Sequence, residues 1–361
     1  MGECGVGNNS AARLKKNIIS TGLCSGCGAC IGYCPYIKCY GERVAVIHDC
    51  KISEGTCYRI CPRASTKYAD LRKETFGSIE LDMVLGNYEM ISFARACDES
   101  IRRRGQYGGV VTALSILALE TGIFDCALMT GGNFNGAKPI IAACAGDMLA
   151  CAGSKYTASP NLSLFQEAVK KGFKNIGVIG RPCQVTAARK MQQVTEIKGE
   201  KISFIIGLFC MGSFSPEFYQ FIKFKGLDKY EIMDIPGDVV FKRKSKETCL
   251  PFEEIREYIR DSCLICYDPL SELADLSVGS TESDYGWNTL ITRTAKGVKL
   301  VEHAIVNGVI EIKEYPGKLL PLLRKAVFNK KKRVLERPDA TYLKLSAREK
   351  EFFLVTGGGS K

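Results

Sequence analysis

Apolar and polar positions follow two different patterns along the chain. From about Tyr88 onwards, short apolar runs alternate with segments whose apolar residues recur at helical spacing, which is typical of strands that alternate with helices. The apolar runs lie at Ile123–Met129, Asn175–Ile179 and Ser203–Phe209, and the helix-like segments lie at Val110–Leu119, Leu162–Lys171, Cys183–Gln192 and Ser215–Lys225. This part of the chain predicts an α/β domain with a mixed or parallel sheet, in which ligands usually gather at the carboxyl ends of the strands.

The pattern continues towards the C-terminus and becomes strongly basic there. After Tyr285 it predicts a strand at Asn288–Arg293 and a helix at Lys296–Val306. The following stretch, Arg324–Arg333, contains consecutive lysines at positions 330–332. We interpret it as the solvated face of a helix, and a specific binding surface is the alternative.

Residues 20–65 follow neither pattern, because they are rich in glycine and cysteine and contain no long periodic segment. This texture suits a small domain that folds around metal rather than around an apolar core. The whole chain has 18 cysteines but only two histidines, His48 and His303. Two histidines are too few for most proton shuttles and catalytic triads, so we expect cofactors to carry the chemistry. No catalytic side chain is assigned.

The hydropathy and charge of the chain restrict its expected location and its expected binding partners. No run approaches the roughly eighteen apolar residues of a membrane span, and Met1–Lys16 lacks the apolar centre of a signal peptide. A cytoplasmic location is the expectation, and reduced cysteines are then more typical than disulfides. The formal net charge of +11 suits an anionic lipid, an acidic protein partner or an acidic cofactor, and no aromatic-interleaved basic motif favours nucleic acid.

The first cysteine motif is specific. Residues 24–35 read CSGCGACIGYCP, which is the C-x2-C-x2-C-x3-C-P spacing of bacterial-type ferredoxins. In two-cluster ferredoxins the fourth cysteine of each run ligates the other cluster. Cluster one would then take Cys24, Cys27, Cys30 and Cys61.

A second motif at residues 50–62, CKISEGTCYRICP, is incomplete. It keeps Cys50, Cys57 and Cys61, but Ser53 stands where a middle cysteine is expected and one residue is added. Cluster two would have Cys34, Cys50 and Cys57, and Cys39 is the nearest candidate for its fourth ligand. A three-iron cluster, or no second cluster, is the alternative.

The larger domain has four further cysteines in unusual contexts. Cys183 follows Arg-Pro after one apolar run, Cys210 ends the next run, and Cys263 and Cys266 form a C-x2-C pair. Loops from neighbouring strand ends could bring all four to one iron–sulfur cube; a lone C-x2-C is as often zinc or a redox-active disulfide. The remaining cysteines considered, Cys97, Cys126, Cys144 and Cys151, are interpreted as small core residues.

Five ordered segments resemble one family, the beta subunits of coenzyme F-420-reducing hydrogenase and of F-420-linked formate dehydrogenase. The segments are GQYGGVVTAL at Gly105–Leu114, GSKYTASPN at Gly153–Asn161, GRPCQVTAA at Gly180–Ala188, GLFCMGSF at Gly207–Phe214 and CLICYDPLSELADLSVG at Cys263–Gly279. The resemblance implies an FAD-binding α/β domain with its own [4Fe–4S] cluster on the cysteines Cys183, Cys210, Cys263 and Cys266. The N-terminal ferredoxin motif resembles the longer members, such as the input subunit of F-420H2 dehydrogenase.

Flavin also has a chemical rationale, since clusters pass single electrons whereas a hydride donor gives two. We expect the turn at residues 105–112 to let backbone N–H groups approach a phosphate at a helix start, although the glycines do not form G-x-G-x-x-G and a simple helix start is the alternative. The candidate cofactor-binding residues are Gly105, Tyr107, Gly108, Gly109, Thr112, Ser154, Lys155, Tyr156, Asn161 and Arg181.

These inferences divide the chain into four parts. Residues 1–20 are an N-terminal extension, 21–70 a ferredoxin-like domain with two [4Fe–4S] clusters, 85–335 an FAD- and [4Fe–4S]-binding domain, and 336–361 a C-terminal helix and tail. The expected function is hydride exchange between coenzyme F-420 and FAD, with single electrons relayed through three clusters to a partner redox subunit. That partner would be a hydrogenase, formate dehydrogenase, heterodisulfide reductase or F-420H2 dehydrogenase module.

Two points stay open. The two-electron carrier could be other than F-420, and the alternative function is an electron-relay adaptor between ferredoxin and a partner enzyme, without a small-molecule hydride site.

Overall fold

The computed structural model describes residues 9–32, 34–48, 50–77, 82–281 and 284–355. Its helices are α1 (Ser10–Leu14), α2 (Thr56–Arg59), α3 (Tyr68–Phe76), α4 (Glu99–Arg104), α5 (Val110–Glu120), α6 (Ala145–Ala150), α7 (Phe165–Lys170), α8 (Pro182–Gln192), α9 (Pro216–Phe224), α10 (Asp261–Leu264), α11 (Ala295–Val306), α12 (Leu320–Leu335) and α13 (Ala347–Leu354). Its strands are β1 (Ile37–Tyr40), β2 (Arg43–Val46), β3 (Thr66–Lys67), β4 (Met90–Ala96), β5 (Cys126–Gly131), β6 (Lys138–Ala142), β7 (Ile176–Gly180), β8 (Ile202–Leu208), β9 (Ile232–Asp234), β10 (Val239–Arg243), β11 (Lys246–Leu250), β12 (Leu276–Ser280), β13 (Asn288–Thr292), β14 (Ile310–Glu314) and β15 (Leu343–Lys344).

A mixed sheet of eight strands forms the centre, in the order β14-β4-β13-β12-β8-β7-β5-β6. Strands β5, β7, β8 and β12 are parallel to one another. Strand β13 is antiparallel to both β12 and β4, so β4 runs in the same direction as the parallel group. The carboxyl ends of these five strands therefore share one edge of the sheet, here called the carboxyl edge. The predicted α/β architecture with a mixed sheet is confirmed.

Helices cover both faces of this sheet, which explains why the strands are apolar without alternation. In β8, Phe204 and Ile206 pack into the cluster that contains α5 and α11, whereas Ile205 packs with Val185 and Met191 of α8. The predicted apolar runs and helix-like segments match β5, β7, β8, β13, α5, α7, α8, α9 and α11 to within a few residues. Segment 162–171 differs most, because it begins as a 3-10 turn at Asn161–Leu164 before α7.

The N-terminal segment forms a hairpin, β1–β2, over α1, which continues as a π-helical turn at Lys15–Ile19. Its apolar interior contains Leu14, Ile18, Ile37 and Val44. The next residues do not stand apart from the main body, since Ala29, Ile60 and Tyr68 belong to the main apolar cluster. Strand β3 also pairs with β15 near the C-terminus. The predicted domain boundaries stay a prediction.

Helix α12 corrects the interpretation of the basic stretch as a solvated face. Lys331 is 0% exposed; its Nζ lies 2.6 Å from the Glu272 carboxylate and donates to the Met83 carbonyl at 3.0 Å. Lys330 is also buried. Buried acidic and carbonyl groups draw these ammonium groups inward, because a buried charge needs a partner. The arginine and lysine side chains at 324, 332 and 333 keep more exposure.

Two of the four cysteines interpreted as core residues lie in the core and two do not. Cys126 and Cys151 are buried, as expected, whereas Cys97 and Cys144 are exposed. The last two lie just after β4 and just before α6, where the chain leaves the packed layers. In the part of the chain that the structure describes, no helix combines the length and apolarity needed to span a membrane.

Candidate functional site

Four cysteines from the two N-terminal motifs converge, and we call them the first thiol group: Cys24, Cys27, Cys30 and Cys61. All four line one small cavity beside the apolar side chains of Leu14, Ile18 and Val44. Burial, and then neighbouring Cys61, raise the pKa of the Cys24 thiol to about 11. The pKa values of Cys27 and Cys30 are raised further, again first by burial and then by the other cysteines.

Local sequence explains how this loop closes on the main body. Gly28 has φ +87°, and a Cβ there would lie 2.5 Å from the Pro160 carbonyl oxygen and 2.7 Å from the Ser163 nitrogen. Only glycine combines this backbone conformation with so close an approach. From the other side, Lys190 Nζ donates to the carbonyls of Cys61 at 2.7 Å and Ala64 at 2.8 Å. Burial lowers the pKa of Lys190 to about 8, and the nearby Cys61 and Cys27 work against that shift.

The second thiol group comprises Cys34, Cys50 and Cys57. Burial raises the pKa of Cys57 to about 11, and the next causes are Cys34 and Cys50. The loop that contains Ser53 is fixed to α1, because Ser10 Oγ donates to the Ser53 carbonyl at 2.6 Å and accepts from the Gly55 N–H at 2.5 Å. Burial raises the pKa of Cys57 less than those of Cys27 and Cys30, which indicates that this group lies nearer the surface.

Cys39, the candidate fourth ligand of this group, lies in β1. Its Sγ donates to the Gly41 carbonyl at 2.9 Å, and its pKa is raised first by burial and then by Glu42. It also raises the pKa of Cys24. The structure thus places Cys39 near the first thiol group, and its role in the second stays a prediction.

The third thiol group comprises Cys183, Cys210, Cys263 and Cys266. Because β7 and β8 are parallel neighbours, the first turn of α8 and the residues after β8 bring Cys183 and Cys210 together at the carboxyl edge. Burial and then Cys263 raise the pKa of Cys210 to about 12. The backbone N–H of Ser213 donates to Cys263 Sγ at 3.3 Å.

Two buried arginines lie beside thiols of the first and third groups. The pKa of Arg181 is raised by Cys183, Cys210, Cys263 and Cys27 against the effect of its own burial. Arg63 is buried beside Cys266 and Cys183 and donates to the Ser262 carbonyl at 2.9 Å.

The three groups form a series. Cys61 is near Cys57, which links the second group to the first, and the pKa of Cys27 is raised by Cys183, which links the first to the third. Within the described ranges, no three His, Cys, Asp or Glu side chains converge closely enough to hold a single metal ion. The donor sets consist of thiols, and buried cations lie beside the first and third groups, which fits the ligation of iron–sulfur clusters.

The glycine turn predicted for flavin lies at the carboxyl edge, between β4 and α5. Gly109 caps α5 with φ +71°, and a Cβ on Gly108 would lie 2.8 Å from the Ala94 carbonyl oxygen and from Asn288 Oδ1. A Cβ on Gly105 would lie 2.8 Å from the Gly109 Cα. Close packing alone therefore requires glycine at these positions, whether or not a ligand binds. Thr112 is buried inside α5.

A carboxylate that the sequence did not suggest organises the neighbouring residues. Asp234, at the end of β9, accepts hydrogen bonds from Tyr107 at 3.0 Å and Tyr156 at 3.3 Å, and from Gln106. The backbone N–H of Ser154 donates to Gln106 Oε1 at 3.2 Å. Burial and then Asp234 raise the pKa values of Tyr107 and Tyr156. Tyr107 has φ +63°, a conformation that is costly for a residue other than glycine.

The side chains of the remaining candidates form hydrogen bonds with other groups of the protein. Lys155 Nζ donates to the carbonyls of Cys151 at 2.5 Å and Ala152 at 2.7 Å, and burial lowers its pKa to about 8. Asn161 Oδ1 accepts from Thr130 and Ser159, both at 2.9 Å, between the ends of β5 and β7. Arg181 donates to Ser213 Oγ at 2.7 Å on the side of the third thiol group.

Comparison with known proteins identifies the family. Residues 91–166 match the profile described as coenzyme F-420 hydrogenase/dehydrogenase, beta subunit N-term, and residues 173–318 match the profile of its C terminus. The chain belongs to this family. The coenzyme F-420 hydrogenase subunit beta of Methanothermobacter thermautotrophicus is 36% identical over 266 residues, which cover 70% of this chain and 94% of the relative.

Other relatives extend over more of the chain. One of the subunits of the F-420H2 dehydrogenase of Methanosarcina mazei is 30% identical over 337 residues, which cover 87% of this chain and 91% of the relative. The F-420-dependent sulfite reductase of Methanocaldococcus jannaschii is 31% identical and covers 83% of this chain, but the match spans only 48% of that relative.

The fold has a solved counterpart. A chain of the F-420-reducing nickel–iron hydrogenase complex from Methanosarcina barkeri superposes with a TM-score of 0.66 and 32% identity, covering 71% of this chain and 94% of that one. The mixed α/β fold is therefore shared with a component of an F-420-linked hydrogenase complex.

Proposed function

We propose that the chain is an oxidoreductase subunit that exchanges a hydride between coenzyme F-420 and FAD and relays single electrons to a partner redox subunit. The observation that carries the proposal is the series of three thiol groups, which runs from the surface of the N-terminal segment to the carboxyl edge of the sheet. F-420-linked relatives that are subunits of redox complexes support the choice of carrier and of partner class.

Each thiol group would hold one [4Fe–4S] cluster. The proposed ligands are Cys24, Cys27, Cys30 and Cys61 for the first, Cys34, Cys50, Cys57 and Cys39 for the second, and Cys183, Cys210, Cys263 and Cys266 for the third. Bound flavin would accept two electrons together and release them singly, which matches a hydride donor to one-electron sites.

The side chains around the thiols have two tasks in this proposal. Arg181, Arg63 and Lys190 place buried positive charge beside the groups, which offsets the negative charge that four thiolates bring. The close packing of Gly28 on residues 160–163 holds the first group against the main body. Both effects favour electron transfer within the protein over loss to solvent.

At the carboxyl edge, the proposed flavin contacts among the predicted residues are Gly105, Tyr107, Gly108, Gly109, Ser154 and Tyr156. The other four, Thr112, Lys155, Asn161 and Arg181, would contact flavin only by giving up the burial or the protein hydrogen bonds described above. Asp234 would act as a positioning residue for Tyr107 and Tyr156, because its carboxylate accepts a hydrogen bond from each. Its hydrogen bonds fix both rings and the strained backbone at Tyr107 before any ligand arrives, which reduces the ordering cost of binding.

Anaerobic stopped-flow spectroscopy with reduced F-420 tests the proposal. The flavin absorbance should bleach first, and the broad absorbance of the clusters should follow. Asp234→Asn should weaken FAD binding about tenfold, since hydrogen bonds to a charged group contribute about 1.5–3 kcal/mol, whereas Asp238→Asn, in the bend between β9 and β10, should not. Absence of flavin from the protein, or bleaching only by one-electron donors, would contradict the hydride site and favour an electron-relay adaptor.

A further inference from the structure

The N-terminal hairpin has one face turned to solvent. Strands β1 and β2 pair Tyr40 with Arg43 and Lys38 with Ala45, and the Ile47 N–H donates to the Tyr36 carbonyl at 2.8 Å, which extends the ladder. Side chains alternate across a strand, so every second residue shares a face. The outward positions, here called the hairpin face, are Tyr36, Lys38, Tyr40, Arg43, Ala45 and Ile47.

The opposite face of the hairpin covers the thiols. Ile37 and Val44 are buried and pack in the same cluster as Cys57 and Cys61. Val44 also lines the cavity of the first thiol group. The hairpin is therefore a single layer of chain between the thiol groups and the solvent. A protein docked on the hairpin face would lie within the thickness of one sheet layer, about 10 Å, of these groups.

The hairpin face exposes more apolar surface than a solvated hairpin needs. Tyr40 is 91% exposed, Ile47 61% and Tyr36 39%, and the neighbouring Ile52 is 62% exposed. Isolated exposed apolar residues need no explanation, but a group of large ones on one short segment marks an interaction site. Its modest extent suits a transient electron-transfer encounter, which typically buries less than about 1,200 Å².

The charge on and around the hairpin face is positive. Lys38 lies in its middle; Lys15 and Lys16 are exposed on the π-helical turn that packs against β2, and Lys51 is exposed in the loop that follows the hairpin. None of these four lysines has an ion-pair partner among the residues that the structure describes. By contrast, Arg43 is met by Glu217 at 2.7 Å. The available positive charge therefore complements an acidic protein surface.

We propose that the hairpin face docks a small acidic one-electron carrier protein of the ferredoxin type. The proposal rests on the proposed function and deepens it by naming the partner at the one-electron end. One electron passes between the carrier and a cluster beneath the hairpin; the carrier is oxidised as the cluster is reduced, or the reverse, and no bond forms or breaks. A second copy of this chain fits less well, because a symmetric contact would bring Lys38 and Tyr40 of one copy against the same residues of the other.

Anaerobic stopped-flow mixing with a reduced, acidic two-cluster bacterial ferredoxin tests the docking. We expect Lys38→Glu to lower the second-order rate of cluster reduction about tenfold at low ionic strength, and added salt to slow the native protein, because complementary charge acts mainly on association. Tyr40→Ser should raise the concentration of ferredoxin that gives half the maximal rate. The matched control is Lys246→Glu, an exposed lysine in the β10–β11 hairpin, which should leave the rate unchanged.

Three results would overturn the docking proposal: equal ferredoxin rates for Lys38→Glu and the control, no salt dependence, or sedimentation showing a dimer that Tyr40→Ser dissociates. Its failure is distinguishable from failure of the proposed function. Iron content and flavin bleaching by reduced F-420 depend on other residues, so they should remain native in the hairpin variants even if ferredoxin binds elsewhere.

Discussion

The first and second thiol groups both come from residues 24–61 but are built differently. The first is closed by the main body, through Gly28 on residues 160–163 and Lys190 on the carbonyls of Cys61 and Ala64. The second is bounded by α1, the hairpin and the loop at residues 50–57, all from the N-terminal segment. The comparison indicates that the main body covers one thiol group of a short cysteine-rich segment, whereas the other group stays accessible.

This difference suits a relay. An enclosed group keeps water away from electrons that move inward, and an accessible group can exchange electrons with a partner. The first group should be more stable than the second, because only the first packs against the main body. Substitutions in each group test this division.

The largest effect is expected from Cys27→Ala. It removes a buried member of the first thiol group, and we predict the loss of about four iron atoms per chain together with a lowered unfolding temperature, because metal binding is coupled to folding. Iron and sulfide analysis with thermal unfolding measures both. The exposed Cys97→Ala serves as the control and should keep its iron; an unchanged iron content in Cys27→Ala would show that the first group holds no cluster.

Chelation under mild oxidation should separate the two groups in time. We predict a fast loss of about four iron atoms from the accessible second group, followed by slow loss of the rest. Iron retained against time measures the phases. Cys57→Ala should lack the fast phase, and a single phase in the native protein would mean that the two groups are equally protected.

Two alanine substitutions at glycines compare the packing directly. Both positions have positive φ, +87° at Gly28 and +58° at Gly41, but only Gly28 meets other atoms. We expect Gly41→Ala to cost about 1 kcal/mol from backbone strain, and Gly28→Ala about 3 kcal/mol because overpacking is added. Urea unfolding gives both values. Equal costs would show that the contact with residues 160–163 does not hold the first group in place.

The smallest effect concerns Cys39. If it completes the second group, Cys39→Ala should lose about one iron atom per chain and give the spectrum of a three-iron cluster. Electron paramagnetic resonance and iron analysis detect the change, with the exposed Cys249→Ala as the control. An unaltered spectrum would remove Cys39 from the ligand set, in agreement with its position near Cys24 and Glu42.

Sequence patterns predicted the strands and helices of the main sheet well, since segments such as 202–208 are apolar on both faces and can only be buried. Cysteine spacing predicted which thiols come together at Cys24, Cys27 and Cys30, because these ligands are local. The approach of Cys61 follows from the crossover of paired motifs, and the structure brings it to the same cavity.

Contacts between distant segments were not predictable in this way. Asp234 meets Tyr107 across 127 positions of the chain, and no local pattern marks an aspartate that ends a short strand. Lys331 looked like a surface residue because its partner, Glu272, lies in another segment. Cys97 lies just beyond a strand end and is followed by Asp98 and Glu99, whereas Cys126 begins a strand and is followed by apolar residues.

The central claim is that thiols at these positions enclose iron and inorganic sulfide beside a flavin. Iron, sulfide and flavin per chain in protein purified without oxygen test it most directly. The account predicts about twelve iron atoms, a similar amount of sulfide and one FAD; about eight iron atoms would remove one cluster. Protein that contains zinc instead of iron, or neither metal and no flavin, would contradict it.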